Sequence, residues 1–418
     1  MKFSSIIMSA AAIGMSAVSI TNAQQNQAAC SSVYTRKELL SLTSSEWTLY
    51  KAILAAMQRD GWFAWFSYLH VQWFNQIHGN SQFFPFHRRF VQDWERVGRM
   101  YNSGFAQPYW DEMRDYRTPA TSQVLTANWI GGNGAGTNLC VTNGVQGGWT
   151  MTYPNSHCFS RNFANNGNPT SWYSPEYINS LVQKNSNMAT FRSDMEYSLH
   201  GVVHIHLGGD MYQGYSPNDW AFMLHHANLD RLWWQWQQLN NHLWTMDGPN
   251  SDGAATTLNT NIAYFNEPIR SVMQLGYGNM CYQYSSNVLS RRDLDSDVES
   301  VLAVSLPTDI LSKYFPETAK THHINVSAPV AAAISNLSNS DIKAPIAAAA
   351  AIFANSPIAA QVQSLITSRQ RKRIPRPAEI TDAWAKMHNY NAADVARVKK
   401  EARDFVDDMA KINYESPF

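Results

Sequence analysis

Histidine is the residue type whose placement carries the most chemical information in this chain. The sequence contains 13 histidines. Six of them fall into two groups of three, each set among aromatic and apolar residues: His70, His78 and His87, and His200, His204 and His226. His200 and His204 are four residues apart, so on a helix their side chains lie on one face, one turn apart. Each group could therefore gather three imidazoles at one point.

Imidazole groups without carboxylate or thiolate partners point to a particular kind of metal. Neutral imidazole suits copper, which stands near the top of the divalent affinity order. Magnesium and calcium prefer oxygen ligands, and structural zinc commonly includes cysteine. Two facing triads could hold two copper ions close enough to bind dioxygen between them. The competing interpretation is that each histidine is a hydrogen-bonded core residue, but two groups of three in one domain favour a metal site.

The segments that carry these histidines have helical patterns. From Thr43 to Arg99, tryptophan and phenylalanine recur at three- and four-residue steps. Helical character returns over Ser174–Val203 and Trp220–Asn241. Metal sites in helix bundles are built from side chains that project inward from packed helices. The sequence therefore predicts a mainly α fold, in which a four-helix bundle holds a dinuclear copper site and carries long loops and a C-terminal extension.

Composition and charge argue against several other classes of protein. Across 418 residues, 32 lysines and arginines balance 32 aspartates and glutamates, so nothing indicates a nucleic-acid or anionic-membrane partner. The 15 tryptophans and 19 tyrosines, with 15% charged residues, are typical of a compact enzyme rather than a disordered chain. No Gly-rich nucleotide-binding loop is evident.

The N-terminal segment predicts export. It contains Lys2, an apolar run and small residues ending at Ala23. This pattern predicts a signal peptide over residues 1–23 and a secreted, extracellular product, and no later stretch approaches membrane length. Residues 24–285 are predicted to form the dicopper domain. Beyond residue 285 the composition becomes rich in alanine, so residues 286–418 are predicted to be a C-terminal extension.

Four cysteines suit disulfide bonds in an oxidising compartment: Cys30, Cys140, Cys158 and Cys281. Four cysteines allow three connectivities. We favour a bridge between Cys140 and Cys158, which lie in the long Gly- and Asn-rich surface segment at 118–173. This choice leaves Cys30 to pair with Cys281. None of them has the spacing of a zinc or redox motif, so a structural role is favoured over a catalytic thiol.

The C-terminal region has three further features. Sequons at Asn325 and Asn336 predict a glycoprotein. The basic run RQRKR, at Arg369–Arg373, is either a site for a processing protease or a solvated loop. The final segment, Ala392–Lys411, is predicted to form an amphipathic charged helix.

Several separated motifs, in a consistent order, resemble those of a known family. The segment from His70 to Glu95 contains PFHRRF followed by WE, and it is similar to the first copper motif of tyrosinases, catechol oxidases and molluscan-type haemocyanins. PYWDE at 108–112 resembles the family's Pro-Tyr-Trp-Asp stretch, and the segment from His200 through GGDM to DWAFMLHHANLDRLWWQW resembles the second copper motif. YQY at 282–284 resembles the Tyr-x-Tyr element that closes the catalytic core in fungal members. The chain thus looks like a compact fungal-type member of these type-3 copper proteins.

This resemblance implies a ligand set and an activity. The implied ligands of the first copper ion are His70, His78 and His87, and those of the second are His200, His204 and His226. The implied function is that of a catechol oxidase or tyrosinase (polyphenol oxidase), which uses O₂ to oxidise small phenolic substrates, here o-diphenols, to o-quinones. The alternative is a haemocyanin-like oxygen-binding protein with the same copper pair, and catechol turnover would distinguish the two.

Two positions beside the second triad bear on the choice of phenol. Family members that hydroxylate monophenols well often carry Asn directly after the first ligand of the second copper, where this chain has Gly201. Such an Asn, with a nearby Glu, is thought to orient a water that deprotonates the phenol. Glu196 could supply the carboxylate, but the amide is absent. We therefore expect Glu196 and Gly201 to be catalytic positions, with diphenol oxidation dominant and monophenol hydroxylation weaker or absent.

Other residues are expected to support the ligands, because a metal-bound imidazole needs its second ring nitrogen held. Arg88 and Asp230 are predicted to form a buried ion pair beneath the site, and Asp111 is either a similar helper or a turn or helix cap. Three phenylalanines are candidates for lining the site, with ordinary core packing as the alternative: Phe83, Phe86 and Phe222. His225 is interpreted as a neighbour that supports the next residue, and His206 as a surface or supporting residue.

The resemblance also suggests a role for the C-terminal extension. In fungal relatives such an extension can cover the copper site and keep the enzyme latent until proteolysis. Residues 286–418 are a candidate for a removable covering region of this kind, with Arg369–Arg373 as its processing site. The alanine-rich sequence does not closely resemble the β-rich extension of those relatives, so latency is a hypothesis for limited proteolysis to test.

Overall fold

The computed structural model describes residues 27–285, 298, 301–303, 305–325 and 371–418. Over these residues the protein is mainly helical, and its few strands are two or three residues long. None of the helices there combines the length and the apolar character needed to cross a membrane. The predicted signal peptide (1–23), the sequon at Asn336 and the first two residues of the basic run at 369–373 lie outside the described residues. Secretion and glycosylation therefore stay predictions.

Three consecutive helices form the first half of the bundle: α1 (Ser44–Arg59), α2 (Trp62–Ile77) and α3 (Phe83–Tyr101). α1 begins with a capping box, since the Thr43 hydroxyl accepts from the N–H of Glu46 and the Glu46 carboxylate accepts from the N–H of Thr43. Gly61, with φ of +84°, separates α1 from α2 in a left-handed turn that favours glycine. α3 is buried along most of its length, charged residues included, so it runs through the centre of the domain.

The second half of the bundle contains four helical segments: α4 (Pro175–Lys184), α5 (Met188–Met195), α6 (Gly201–Leu207) and α7 (Ala221–Gln238). Side-chain oxygens of Ser174 and Asn187 cap α4 and α5. A π-helical turn at Glu196–His200 joins α5 directly to α6. The helices α2, α3, α5–α6 and α7 surround the two histidine groups, which confirms the predicted mainly α fold.

Short strands and disulfide bonds hold the long connections. Four strands occur in the described residues: β1 (Tyr34–Arg36), β2 (Thr150–Met151), β3 (His157–Cys158) and β4 (Tyr282–Tyr284). β1 pairs in parallel with β4, and β2 pairs in antiparallel with β3. Disulfide bonds join Cys30 to Cys281 and Cys140 to Cys158, which confirms both predicted pairings.

A buried ionic network connects β1, α3, α7 and β4. Arg88 Nε donates to Asp230, which confirms the predicted ion pair. Arg36 donates to both carboxylate oxygens of Glu95, each at 2.9 Å, and its Nη1 lies 3.0 Å from Asp230 Oδ2. The hydroxyls of the two tyrosines of β4 also donate to Asp230. Because every charge has a charged or hydrogen-bonding partner, the network can be buried without leaving an uncompensated ion.

Four helices are described in the C-terminal region: α8 (Thr308–Tyr314), α9 (Pro316–Asn325), α10 (Asp382–Met387) and α11 (Ala392–Lys411). α11 matches the predicted amphipathic helix, and its apolar face is buried at Val398, Ala402 and Phe405. The ring of Phe405 lies 5.3 Å from that of Tyr177 on α4. The described C-terminal helices therefore share one apolar core with the bundle.

Candidate metal centre

The first histidine group lies at the junction of α2 and α3. The structure brings its three side chains together with one nitrogen of each within 4.8 Å of the others: His70, His78 and His87. Their Nδ1 atoms lie 2.6, 2.9 and 2.7 Å from the backbone carbonyl oxygens of Gly214, Phe74 and Phe83. A carbonyl oxygen can only accept, so each Nδ1 carries the proton and donates. This tautomer leaves every Nε2 lone pair free to bind a metal ion.

The second group lies on α5–α6 and α7, and its three ligand atoms also fall within 4.8 Å of one another: His200, His204 and His226. His200 ends the π-helical turn, a feature frequent at functional sites, and His204 follows one α-helical turn later. His204 Nδ1 lies 2.7 Å from the Met211 carbonyl oxygen, whereas His200 Nδ1 is 3.4 Å from that of Glu196. Backbone carbonyls therefore orient this group less tightly than the first.

The two groups face each other across the bundle. The rings of His87 and His226 are stacked, with centroids 4.1 Å apart and planes inclined by 9°. The rings of His78 and His200 lie 5.8 Å apart. Two rings from each group thus lie close to the other group, so the helices place six imidazoles around one small volume.

Burial keeps these imidazoles neutral. It lowers the pKa of His70 to about 4. It also lowers the pKa of the other five well below the usual range, with neighbouring imidazoles adding to the effect. A neutral imidazole has the lone pair that a metal ion requires, so all six side chains are available as ligands at neutral pH.

The unpartnered ring nitrogens of the second group fit a bound cation. Among the described residues, the buried Nε2 atoms of His200, His204 and His226 have no hydrogen-bond partner. A buried polar atom without a partner costs free energy comparable to a lost hydrogen bond. Three such atoms converging on one point are accounted for by a metal ion that accepts their lone pairs.

Phenylalanine rings enclose the histidines. Phe222 lies 4.2 Å from His226 and 5.0 Å from His70, measured between ring centroids. Phe83 lies 4.8 Å from His200, and Phe86 lies 5.3 Å from His87. All three phenylalanines, considered from the sequence as either lining or ordinary core residues, are fully buried and contact the histidines, which is compatible with both roles.

The carboxylate that supports this region is Glu112, which sequence reasoning missed. Its Oε1 lies 2.7 Å from His225 Nδ1, and its other oxygen accepts from Asn228. Asp111, the residue considered from the sequence, instead forms ion pairs with Arg114 and with an arginine of α7. Both acids follow the same PYW motif, and only the turn that the backbone makes there decides which one points at the histidine. The only indication of Glu112 in the sequence was its position directly after Asp111 in this motif.

Glu196 and Gly201 both lie beside the second group. Glu196 is fully buried, and its carboxylate accepts from the N–H of Gly79 at 2.7 Å and from Arg192 at 3.1 Å. Burial raises the pKa of Glu196 to about 7, against the opposing effect of Arg192. Gly201 is the first residue of α6 and directly follows His200. His206, ten residues after Glu196, is buried and accepts from Trp172 Nε1 at 2.7 Å instead of facing the surface.

Residues from the C-terminal region also contact the histidines, and sequence reasoning did not identify them. The ring of Trp384 lies 5.4 Å from that of His204, and the ring of His388 lies 5.0 Å from that of His78. Trp384 and His388 stack on each other with centroids 3.8 Å apart, and both are at least 97% buried. The Tyr390 hydroxyl lies 3.5 Å from His200 Nδ1. Residues 384–390 therefore cover ligands of both groups.

A helical bundle with two facing imidazole triads has the donors for a dinuclear metal centre, and comparisons with known proteins identify the family. The family model described as the common central domain of tyrosinase matches residues 59–239. A tyrosinase-like protein of Diaporthe leptostromiformis is 30% identical over 312 residues, which cover 65% of this chain and 79% of that protein. A tyrosinase of Aspergillus flavus is 31% identical over 290 residues, or 61% of this chain and 80% of the relative. The chain belongs to the tyrosinase family of type-3 copper proteins.

The fold agrees with that assignment. A mutant polyphenol oxidase from Thermothelomyces thermophila superposes with a TM-score of 0.53 at 21% sequence identity. The match covers 60% of this chain and 89% of that protein. At this identity the match bears on the fold alone.

Proposed function

We propose that this protein is a copper-dependent oxidoreductase that oxidises o-diphenols to o-quinones. Two catechols and one O₂ would give two quinones and two waters, so electrons and protons balance. The observation that carries the proposal is the pair of facing imidazole triads in a member of the tyrosinase family. Copper, when bound there, would supply reversible O₂ binding and accept the two electrons of each diphenol.

The proposed ligands are the six histidines of the two groups: His70, His78, His87, His200, His204 and His226. Carbonyl acceptors on Nδ1 orient the ligands of the first group, and this support by a second layer of residues is common in metal sites. Phe83 and Phe222 pack against rings of both groups and exclude water from the volume between them.

Glu196 and Gly201 are proposed to set the balance between phenol classes. A carboxyl group with a pKa of about 7 suits proton transfer near neutral pH. The hydrogen bonds from Gly79 and Arg192 hold this carboxylate in place beside His78 and the second triad. Gly201 offers no amide to orient a water with it, and this supports oxidation of diphenols over hydroxylation of monophenols.

The C-terminal region is proposed to restrict access to the centre in the secreted protein. The burial of Trp384 and His388 against both triads supports a covering role for part of residues 286–418. Cleavage by a processing protease at Arg369–Arg373 is proposed to loosen this cover. Catechol turnover should then rise after limited proteolysis at this run, and clean cleavage without any gain would count against latency.

Copper content and catechol turnover test the proposal together. We expect two copper ions per chain, an absorption band in the near ultraviolet on addition of peroxide, and oxidation of catechol exceeding that of tyrosine. Protein that folds normally but binds no copper, or a single zinc ion, would refute it. The covered centre also suits a second candidate, a haemocyanin-like oxygen-binding protein. That function would be favoured by reversible O₂ binding without catechol turnover, both before and after proteolysis.

A further inference from the structure

Two glycines directly follow proposed ligands, and both lie against the C-terminal region. A Cβ atom added to Gly201, after His200, would lie 2.4 Å from Ile380 Cγ2 and 3.0 Å from Trp384 Nε1. A Cβ atom added to Gly79 would lie 3.1 and 3.2 Å from the carbonyl oxygens of residues 389 and 388. At Gly201, residues 380–390 approach too closely for a side chain unless something shifts, whereas at Gly79 the contact is tight and its neighbours would have to give only by a few tenths of an ångström.

Backbone conformation does not explain glycine at position 201. Gly201 has φ of −62° and ψ of −36°, which are ordinary α-helical values that any residue adopts. Within a helix, glycine is the least favourable residue apart from proline, and alanine is the best. Gly79 differs, because its φ of +70° favours glycine by itself. The space taken by Ile380 and Trp384 is therefore the physical reason for a glycine at 201.

Contacts away from the centre hold the segment in this position. Arg397 donates to Asp194 at 2.7 Å and to Ser193 at 2.8 Å, so α11 is joined to α5. The ring of Tyr390 packs 4.1 Å from that of Tyr197, in the π-helical turn. Ile380 itself is 2% exposed. The close approach at Gly201 is thus one part of an extensive packed interface.

We infer that Gly201 is a docking position for residues 380–390, and that the residue at 201 decides whether Trp384 and His388 remain over the centre. The consequence for phenol access rests on the proposed function, whereas the docking itself does not. A side chain at 201, including Asn, is then expected to act first by displacing the covering segment. A purely chemical role for position 201 would leave the segment in place.

Amide hydrogen exchange of the full-length, copper-loaded protein tests the docking. In Gly201→Ala and Gly201→Asn, exchange of residues 380–390 should be roughly tenfold faster or more, because overpacking destabilises a well-packed contact. The matched control is Gly201→Ala in an Ile380→Ala background, where the closest contact of the added methyl group, the one to Ile380 Cγ2, is removed. There the effect of alanine at 201 should fall to about twofold or less relative to Ile380→Ala alone.

A second variant keeps the test independent of the ligand helix. Ile380→Phe creates the same clash from the segment's side, and it should also speed exchange of residues 380–390 while copper content stays unchanged. Unchanged exchange in all three overpacked variants, with copper bound, would overturn the inference. Faster exchange with a rise in catechol turnover would support the docking and its effect on access. Faster exchange without catechol turnover in any variant would leave the docking intact and refute the proposed function instead.

Discussion

Replacing the buried Asp230 by asparagine should destabilise the protein more than the same replacement of an aspartate on the protein's surface. Asp230 lies on α7 one helical turn after His226, and it pairs with Arg88, the residue that follows His87 on α3. The side chains of His87 and His226 stack on each other. The Asp230–Arg88 pair therefore fixes the relative position of the two helices that bring the triads into contact.

The expected loss of unfolding free energy follows from the partners of the Asp230 carboxylate. Asp230 accepts from Arg88, from Arg36 at 3.0 Å and from both tyrosines of β4, and it is 3% exposed. Asparagine keeps the shape but removes the carboxylate that pairs with Arg88, and it leaves Arg36 paired with Glu95. Removing one partner of a buried ion pair costs about 3–5 kcal/mol. That is a large part of a typical unfolding free energy of roughly 5–15 kcal/mol.

Urea denaturation of the copper-free protein at pH 7 measures this effect without the contribution of bound metal. Burial alone would raise the pKa of Asp230, but Arg88 and Arg36 outweigh it and lower that pKa. The stabilisation is therefore present above the ordinary pKa and is lost as pH falls through the lowered one, where wild type and variant should converge. The matched control is Asp93→Asn on α3, whose partly exposed ion pairs are worth about 0–1 kcal/mol. A loss at Asp230 no larger than this control would refute the reasoning.

Three further predictions concern the centre, the pH dependence of stability and the long loop. His204→Ala should lose one of the two proposed copper ions and retain the other, as measured by metal analysis; full loading would show that His204 is not a ligand. Burial raises the pKa of Glu38 to about 7, so its carboxyl opposes folding increasingly as pH rises from its ordinary value through 7. Glu38→Gln should therefore be more stable than wild type by roughly 3 kcal/mol at pH 8 and equal to it at pH 4 in urea titrations. The same difference at both pH values would contradict this assignment. Replacing both Cys140 and Cys158 by serine removes a disulfide bond that spans 18 residues and should lower the unfolding free energy by about 3 kcal/mol. An unchanged urea midpoint would show that other contacts already hold the segment at 118–173 in place.

Local patterns were sufficient for the features that depend on neighbours in sequence. The i, i+4 spacing of His200 and His204 places both side chains on one face of α5–α6, and α11 has the apolar face expected from its periodicity. Both disulfide bonds followed from four cysteines and one short separation. The helical features and the Cys140–Cys158 bridge were predictable because helical periodicity and chain connectivity act over a few residues. The Cys30–Cys281 bridge, which spans 251 residues, followed only as the remaining pair.

Other contacts join residues far apart in the chain and have no local pattern. Glu112 contacts His225, 113 residues away, while the adjacent Asp111 turns toward arginines. The contact of Arg36 with Glu95 spans 59 residues and depends on the pairing of β1 with β4. Neither contact can be predicted from the sequence, because the first depends on the path of the backbone at Asp111–Glu112 and the second on the position of β1.

The sequence by itself determined which residue types could bind metal, the helices that carry them and the family to which the chain belongs. Only the tertiary structure decided that residues 380–390 lie over the centre, with Trp384 and His388 against its histidines. It also showed that Gly201 is compatible with that packing because a glycine leaves space for Ile380. The physical reason is that periodicity and spacing specify which face of an element is apolar, whereas close packing between distant segments depends on the shapes of both partners at once.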